Sequence, residues 1–113
     1  MPENKRARKL ESGFQAELIQ DLKELFPGSI VLKNDSSYMQ GIPDLLLLYK
    51  THWAVLECKR SASEPYQPNQ PWYVETMNHM SFAAFIYPEN REEIINALCE
   101  AFGVGGISRY SQS

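Results

Sequence analysis

The fold of this chain is decided by residues 41–59, which read GIPDLLLLYKTHWAVLECK. Two runs within this stretch, residues 45–49 and 53–59, are short, apolar and typical of strands. The polar residues 50–52 between them form a tight connection, which favours an antiparallel hairpin. The stretch therefore predicts two neighbouring strands that pair side by side in one sheet.

Three charged side chains lie at one end of this predicted hairpin. Successive side chains of a strand point to opposite faces, so Glu57 and Lys59 share a face while Cys58 points the other way, toward the core. Pairing of the two strands places Asp44 next to Glu57. Two carboxylates offer hard oxygen ligands for a divalent cation, and the Lys59 ammonium group lies beside them.

The rest of the chain alternates between helical and strand-like patterns. Ser12 and Gln15 have the form of a capping box, apolar residues recur behind them at helical spacing, and Pro27-Gly28 ends this first helix. The elements predicted after it are a strand over 29–33, the hairpin, a proline-containing loop over 61–71, a helix to about residue 80, a strand over 82–87 and a closing helix before Gly103. The order α-β-β-β-α-β-α predicts an α/β fold, a small mixed β-sheet flanked by helices.

Length and composition indicate one folded domain. With 113 residues, of which 43% are hydrophobic, the chain can bury a core without disulfides. The predicted organisation is a basic flexible arm over residues 1–11, a single domain over 12–103 and a flexible tail over 104–113. No segment has the apolar length of a membrane span and no signal-peptide pattern is present, so we expect no membrane partner and a cytoplasmic location.

Charge is unevenly distributed along the chain. The formal net charge of −3 provides no overall attraction for nucleic acid. A basic cluster near the start is a candidate contact for a polyanion, although a solvated chain terminus is the alternative interpretation. The candidate nucleic-acid contacts are Lys5, Arg6, Arg8 and Lys9 in this cluster, together with Arg60 after the second strand of the hairpin.

A sequence motif connects these patterns to a known group of enzymes. Pro43-Asp44, a gap of twelve residues and Glu57-Cys58-Lys59 resemble the PD-(D/E)XK nuclease signature, in which X is usually apolar. Gly41 before the motif and Gln70 at the start of the next helix resemble the VRR-NUC subgroup. The resemblance covers about residues 14–87 and implies a restriction-endonuclease-like core.

The chemistry expected of the motif is metal-assisted phosphodiester hydrolysis. Asp44 and Glu57 hold Mg²⁺ or Mn²⁺, and by resemblance to the family the backbone carbonyl of Cys58 completes the shell. Lys59 orients the attacking water or offsets negative charge at phosphorus. Each residue also has a structural alternative. Asp44 follows a proline and has the chemistry of a turn, and Glu57 and Lys59 have the spacing of a solvent-facing cross-strand pair.

Two further residues extend the predicted site. Glu17 on the first helix matches the additional acidic residue of many such nucleases, and is a candidate ligand of the same ion or of a second one. Its alternative is a solvated carboxylate on an amphipathic helix. Gln70 is predicted to position phosphate or the lysine side chain, with Gln67 as the alternative for that role. Tyr66 is a candidate for stacking on a base, whereas Trp72 and Tyr73 are expected to pack their helix on the sheet.

The substrate is inferred from what the sequence lacks as well as from the resemblance. No helix-turn-helix, zinc finger or other base-reading module is visible, so the backbone shape of the DNA is expected to be recognised rather than its sequence. Free-standing domains that look like this are often specific for DNA structure, and several cut four-way junctions as symmetric dimers. We expect a metal-dependent, structure-selective DNA endonuclease that forms a homodimer, such as a Holliday-junction resolvase of a phage. The alternatives are a nickase or flap nuclease on branched or single-stranded DNA, and an inactive nucleic-acid-binding module of the same fold.

Overall fold

The computed structural model describes residues 5–104, and describes side chains from residue 12 onward. Over this range three helices and four strands follow one another in the predicted order. They are α1 (Lys5–Leu25), β1 (Ile30–Lys33), β2 (Leu45–Tyr49), β3 (His52–Cys58), α2 (Gln70–Met80), β4 (Phe82–Ile86) and α3 (Arg91–Phe102). The prediction of an α/β fold built on a small sheet is confirmed.

The sheet is mixed, as predicted. Its strand order is β1-β2-β3-β4, with antiparallel pairing of β1 with β2 and of β2 with β3, and parallel pairing of β3 with β4. In the hairpin of β2 and β3, the pair farthest from the turn joins Leu45 to Leu56. Asp44 and Glu57 are the next residues on the two strands, so the register places them at the same end of the sheet.

One face of the sheet forms the apolar core together with α1 and α3. Alternate residues of β2 and β3, such as Leu47 and Leu56, pack in one cluster with Leu22 and Leu98 of the two helices. Helix α2 instead packs against β3 and β4. Its first residue, Gln70, is its one buried residue. The sheet therefore has an apolar face covered by two helices and a second face on which α2 approaches the end of β3.

Helix α1 begins earlier than the sequence analysis predicts. The capping-box interpretation of Ser12 is wrong, because residues 5–11 already belong to the helix and Ser12 lies inside it. The segment from Lys5 consists of Lys, Arg, Ala, Leu and Glu, which are strong helix formers. Gly13 costs about 1 kcal/mol relative to alanine inside a helix, which is not enough to end one between good formers. The expected flexible arm is therefore helical from Lys5, and residues 1–4 lie outside the described part of the chain.

Gly103 ends α3, as predicted. Its φ of +68° is a left-handed conformation that glycine adopts without strain, and its N–H donates to the carbonyl oxygens of Cys99 and Glu100. Val104, the first residue of the expected tail, packs against the core cluster. Residues 105–113 lie outside the described part of the chain. Between residues 5 and 104, no helix is both long and apolar enough to cross a membrane.

Candidate active site

Asp44 is fixed at the start of β2 and reaches across to the end of β3. The backbone N–H of Asn34 donates to the carbonyl oxygen of Asp44 at 2.8 Å, and the Asn34 side chain donates to that of Pro43 at 2.8 Å. The Oδ2 atom of Asp44 accepts a hydrogen bond of 2.9 Å from the backbone N–H of Cys58. These bonds orient the Asp44 carboxylate toward the strand that carries Glu57.

The electrostatic surroundings of Asp44 are unusual for an aspartate. Burial raises its pKa above the ordinary value of 3.8, because removal from water disfavours the charged form. The N–H of Cys58, a hydrogen bond with the Glu57 side chain and the positive charge of Lys59 lower the pKa again, while the charge of Glu64 raises it. Two carboxylates thus lie close together in a partly dry site, an arrangement in which a proton or a cation between them is favourable.

Gln70 joins Glu57 to Lys59. Its Nε2 donates to Glu57 Oε2 at 2.9 Å, and its Oε1 accepts from Lys59 Nζ at 2.6 Å. The exposed fractions of Glu57, Lys59 and Gln70 are 4%, 2% and 8%, so Glu57 and Lys59 are not a solvent-facing pair. Buried charges persist in proteins when they are paired and hydrogen-bonded. The amide of Gln70 therefore fixes the distance between the carboxylate and the ammonium group.

The loop after β3 encloses the Lys59 ammonium group. Lys59 Nζ donates to the carbonyl oxygen of Pro65 at 3.2 Å and lies 3.7 Å from Glu64 Oε2. The ring centroids of Tyr66 and Phe85 are 5.8 and 5.9 Å from the same nitrogen. The backbone N–H of Lys59 donates to the carbonyl oxygen of Ile86 at 2.9 Å, which extends the pairing of β3 with β4. The lysine is consequently held in one position by its main chain and by the atoms around its tip.

Gly41 allows two loops to meet beside the site. Its φ is +91°, and a Cβ atom there would lie 2.6 Å from both Asn69 Cβ and the carbonyl oxygen of Pro68. Such distances are too short for any side chain, so only glycine fits at this position. The Asn69 side chain also donates to the carbonyl oxygen of Gln40 at 3.4 Å. Gln70 follows directly, so this close approach sets where α2 begins relative to the loop before Asp44.

The fold has a counterpart among solved structures. It is similar to a solved structure described as "VRR_NUC domain", with a TM-score of 0.57 and 23% sequence identity over 69% of this chain and 83% of that one. The chain has a VRR-NUC-like fold. The prediction of this fold is therefore confirmed. No family model matches the sequence, and no curated protein matches it.

The oxygen donors that lie together at this site and suit a metal are the carboxylates of Asp44 and Glu57. The Cys58 side chain lies in the apolar core, while its backbone N–H donates to Asp44. Two carboxylates combined with water and substrate oxygens are a usual shell for Mg²⁺. The residues present therefore fit a divalent cation by the chemistry of their donors.

Glu17 does not join the candidate metal donors in the structure. Glu17 is exposed on α1. Among the residues that the structure describes, no three His, Cys, Asp or Glu side chains form a group that could hold a metal. Glu17 is therefore placed as a surface carboxylate, the alternative that its position on an amphipathic helix allows.

Glu64 is a residue of the site that the sequence analysis missed. Its Oε1 accepts from the backbone N–H of Arg60 at 2.6 Å and from Arg60 Nε at 3.2 Å, while Oε2 faces Lys59. It lies in an irregular loop, where no periodic pattern marks it. The candidate DNA contact Arg60 is thus bonded to Glu64 at the margin of the site. The basic residues Lys5, Arg6, Arg8 and Lys9 lie in the first turns of α1, and their side chains are outside the described part.

Proposed function

We propose that this protein is a metal-dependent nuclease that hydrolyses phosphodiester bonds in DNA. The observation that carries the proposal is the pair of adjacent carboxylates, Asp44 and Glu57, beside a buried lysine that Gln70 holds in place. A VRR-NUC-like fold around these residues supports the same conclusion. A module that only bound DNA would have no use for two carboxylates, because they repel phosphate unless a cation lies between them.

Each residue of the site has its own role in hydrolysis. Asp44, Glu57 and the carbonyl of Cys58 would hold Mg²⁺ or Mn²⁺, which supplies a bound water of lowered pKa and a Lewis acid for a phosphoryl oxygen. Lys59 donates hydrogen bonds from a fixed position, where it orients the attacking water or stabilises charge developing at phosphorus. Gln70 holds the Glu57 carboxylate and the Lys59 ammonium group at a fixed distance, and therefore acts as a positioning residue.

The finer proposal concerns the substrate and the assembly. We propose an endonuclease that selects branched DNA, such as a four-way junction, and acts as a homodimer. A two-fold dimer presents two sites to two symmetry-related strands, which is the geometry needed to resolve a junction. A nickase or flap nuclease is the second candidate, and the exposed aromatic ring of Tyr66 next to Lys59 favours a substrate with unpaired bases.

The test is cleavage of labelled DNA by the purified protein with Mg²⁺, with Mn²⁺ and with EDTA. We expect cleavage only with metal, and a loss of about 100-fold or more in Asp44→Asn, Glu57→Gln and Lys59→Ala with DNA binding retained. The matched controls are Glu100→Gln on α3 and Lys23→Ala on α1, which change exposed residues away from the site. Both controls should cut at the wild-type rate.

Each part of the proposal has its own contrary outcome. Cleavage that persists in EDTA contradicts metal dependence, and DNA binding without cleavage under every metal indicates an inactive binding module. Equal rates on a four-way junction and on linear duplex contradict structure selectivity while leaving the nuclease proposal intact. A monomeric mass by light scattering, with and without junction DNA, contradicts the homodimer.

A further inference from the structure

Tyr66 presents an aromatic surface beside the lysine of the proposed site. Its ring packs on Phe85 of β4, with centroids 4.5 Å apart and an angle of 33° between the planes. The residue is nevertheless 61% exposed, and Lys59 Nζ lies 5.8 Å from the ring centroid. The ring is thus supported by the sheet and remains largely open to solvent.

Exposure alone would not distinguish Tyr66, because isolated exposed apolar residues are normal on proteins. Two contacts fix the position of this ring. Phe85 supports it from below, and the preceding residue, Pro65, accepts a hydrogen bond from Lys59 through its carbonyl oxygen. The ring is therefore held at a set distance from the group that would contact the scissile phosphate.

An exposed aromatic ring favours DNA in which a base is free to stack on it. Each base inside a duplex already stacks on its neighbours, so an aromatic side chain can stack only on a base that is unpaired or at the end of a stack. We propose that Tyr66 stacks on an unpaired base next to the scissile phosphate, so that the substrate is DNA with unpaired nucleotides at the cleavage position. This inference rests on the proposed nuclease function. Within it, the inference favours the second candidate, a nuclease on flaps or single-stranded DNA, because the arms of a four-way junction are fully paired.

Trp72 provides a matched control. It is 63% exposed and packs edge-on against Tyr73, with centroids 5.1 Å apart, so the expectation that it packs α2 on the sheet is wrong. Trp72 lies two residues after Gln70 in the same helix. Residues at this spacing do not share a helix face, and Gln70 faces Glu57 and Lys59. Trp72 is therefore an equally exposed aromatic residue that points away from the site.

The test measures binding rather than cleavage. Fluorescence anisotropy in Ca²⁺, whose charge offsets the carboxylates of Asp44 and Glu57, gives the affinity for a short single strand, for the same sequence as duplex, and for a single strand with consecutive abasic sites at its centre. We expect Tyr66→Ala to weaken binding of the intact single strand by about 5- to 150-fold. Duplex and abasic strand should bind Tyr66→Ala and wild type alike. Tyr66→Phe and Trp72→Ala should behave as wild type, and Tyr66→Leu, which still covers Phe85 but has no π face, should behave as Tyr66→Ala.

Two results overturn the inference. One is an unchanged affinity of Tyr66→Ala for the intact single strand. The other is an equal loss on intact strand, abasic strand and duplex, which indicates that Tyr66 acts only through the position of Lys59. Because no cleavage is needed, failure of the proposed nuclease function is recognised separately, by the absence of cleavage in wild type.

Discussion

The two faces of β3 are buried to nearly the same degree but consist of different chemistry. On one face, Leu56 and Cys58 pack into the apolar cluster formed with α1 and α3. On the other, Glu57 lies 4% exposed, and Lys59 just beyond the strand is 2% exposed, both bonded to Gln70. Adjacent residues of one strand therefore belong to a core and to a candidate active site.

Burial changes the free energy of folding in opposite directions on the two faces. Removal of apolar surface from water stabilises the fold by about 25 cal/mol per Å². Burial of charged groups costs free energy that their partners only offset, and well-packed apolar replacements of buried ion pairs are often neutral or stabilising. Apolar residues on the first face are thus explained by stability. The charged residues on the second face are better explained by function.

The largest expected effect on stability is on the apolar face. Leu56→Ala removes buried methyl groups and leaves a cavity in the core, so we expect the free energy of unfolding to fall by about 3 kcal/mol. Urea denaturation followed by circular dichroism measures this change. Cleavage per folded molecule should remain close to wild type, and a loss under about 1 kcal/mol would contradict the role of Leu56 in the core.

On the face of β3 that carries Glu57, a substitution should lower cleavage rather than stability. Gln70→Met has a similar size but cannot bond to Glu57 or Lys59, and we expect cleavage to fall by about 10- to 100-fold, as for other residues that orient a metal ligand. The control is Gln67→Met, which changes an exposed side chain in the loop just before α2. A greater loss of cleavage in Gln67→Met than in Gln70→Met would assign the positioning role to Gln67.

In metal-free buffer, Asp44→Asn should raise the free energy of unfolding, by less than Leu56→Ala lowers it. The raised pKa of Asp44 means that, above 3.8, the folded state retains a proton that the unfolded state has lost. The free energy of unfolding therefore falls as the pH rises from 3.8 through the raised pKa, and the full cost is present above it. Asp44→Asn should remove this contribution and be more stable than wild type at neutral pH in EDTA.

Thermal unfolding of Asp44→Asn and wild type across this pH range is the measurement. Glu100→Gln, which changes an exposed carboxylate, is the control and should follow wild type. A lower stability of Asp44→Asn than of wild type at neutral pH in EDTA would show that Asp44 has a structural role rather than the functional one proposed here.

The smallest effect on stability is expected at Cys58, a core residue that stands between Glu57 and Lys59 in the sequence. Cys58→Ala changes a side chain in the core but leaves the backbone groups that face the site, so we expect a destabilisation of about 1 kcal/mol and an unchanged cleavage rate. Cleavage assays alongside urea denaturation test this. A large loss of cleavage without a loss of stability would assign the thiol a chemical role.

Most of the strand pattern was predictable from the sequence because alternation and the hairpin connection are local signals. The register that brings Asp44 beside Glu57 follows from them. The start of α1 was predicted wrongly because Ser12-Gly13 resembles a helix start, whereas the helix formers before it extend the helix to Lys5.

The residues around Lys59 could not be predicted from such local signals. Glu64 and the carbonyl group of Pro65 belong to an irregular loop, whose path depends on tertiary contacts such as the close approach of Gly41 to Asn69. The helical pattern of α1 also could not show whether Glu17 turns toward the sheet or toward solvent. Loop residues and helix orientation are therefore where the sequence was insufficient.

The central claim is that Asp44 and Glu57 together hold a divalent cation. The most direct measurement is X-ray diffraction from crystals soaked in Mn²⁺, with anomalous difference maps for wild type and Asp44→Asn. We predict a peak in wild type that is coordinated by the two carboxylates and the backbone carbonyl of Cys58, with Glu17 outside the shell, and no peak there in Asp44→Asn. A fully soaked wild-type crystal without a peak between Asp44 and Glu57 would contradict the account.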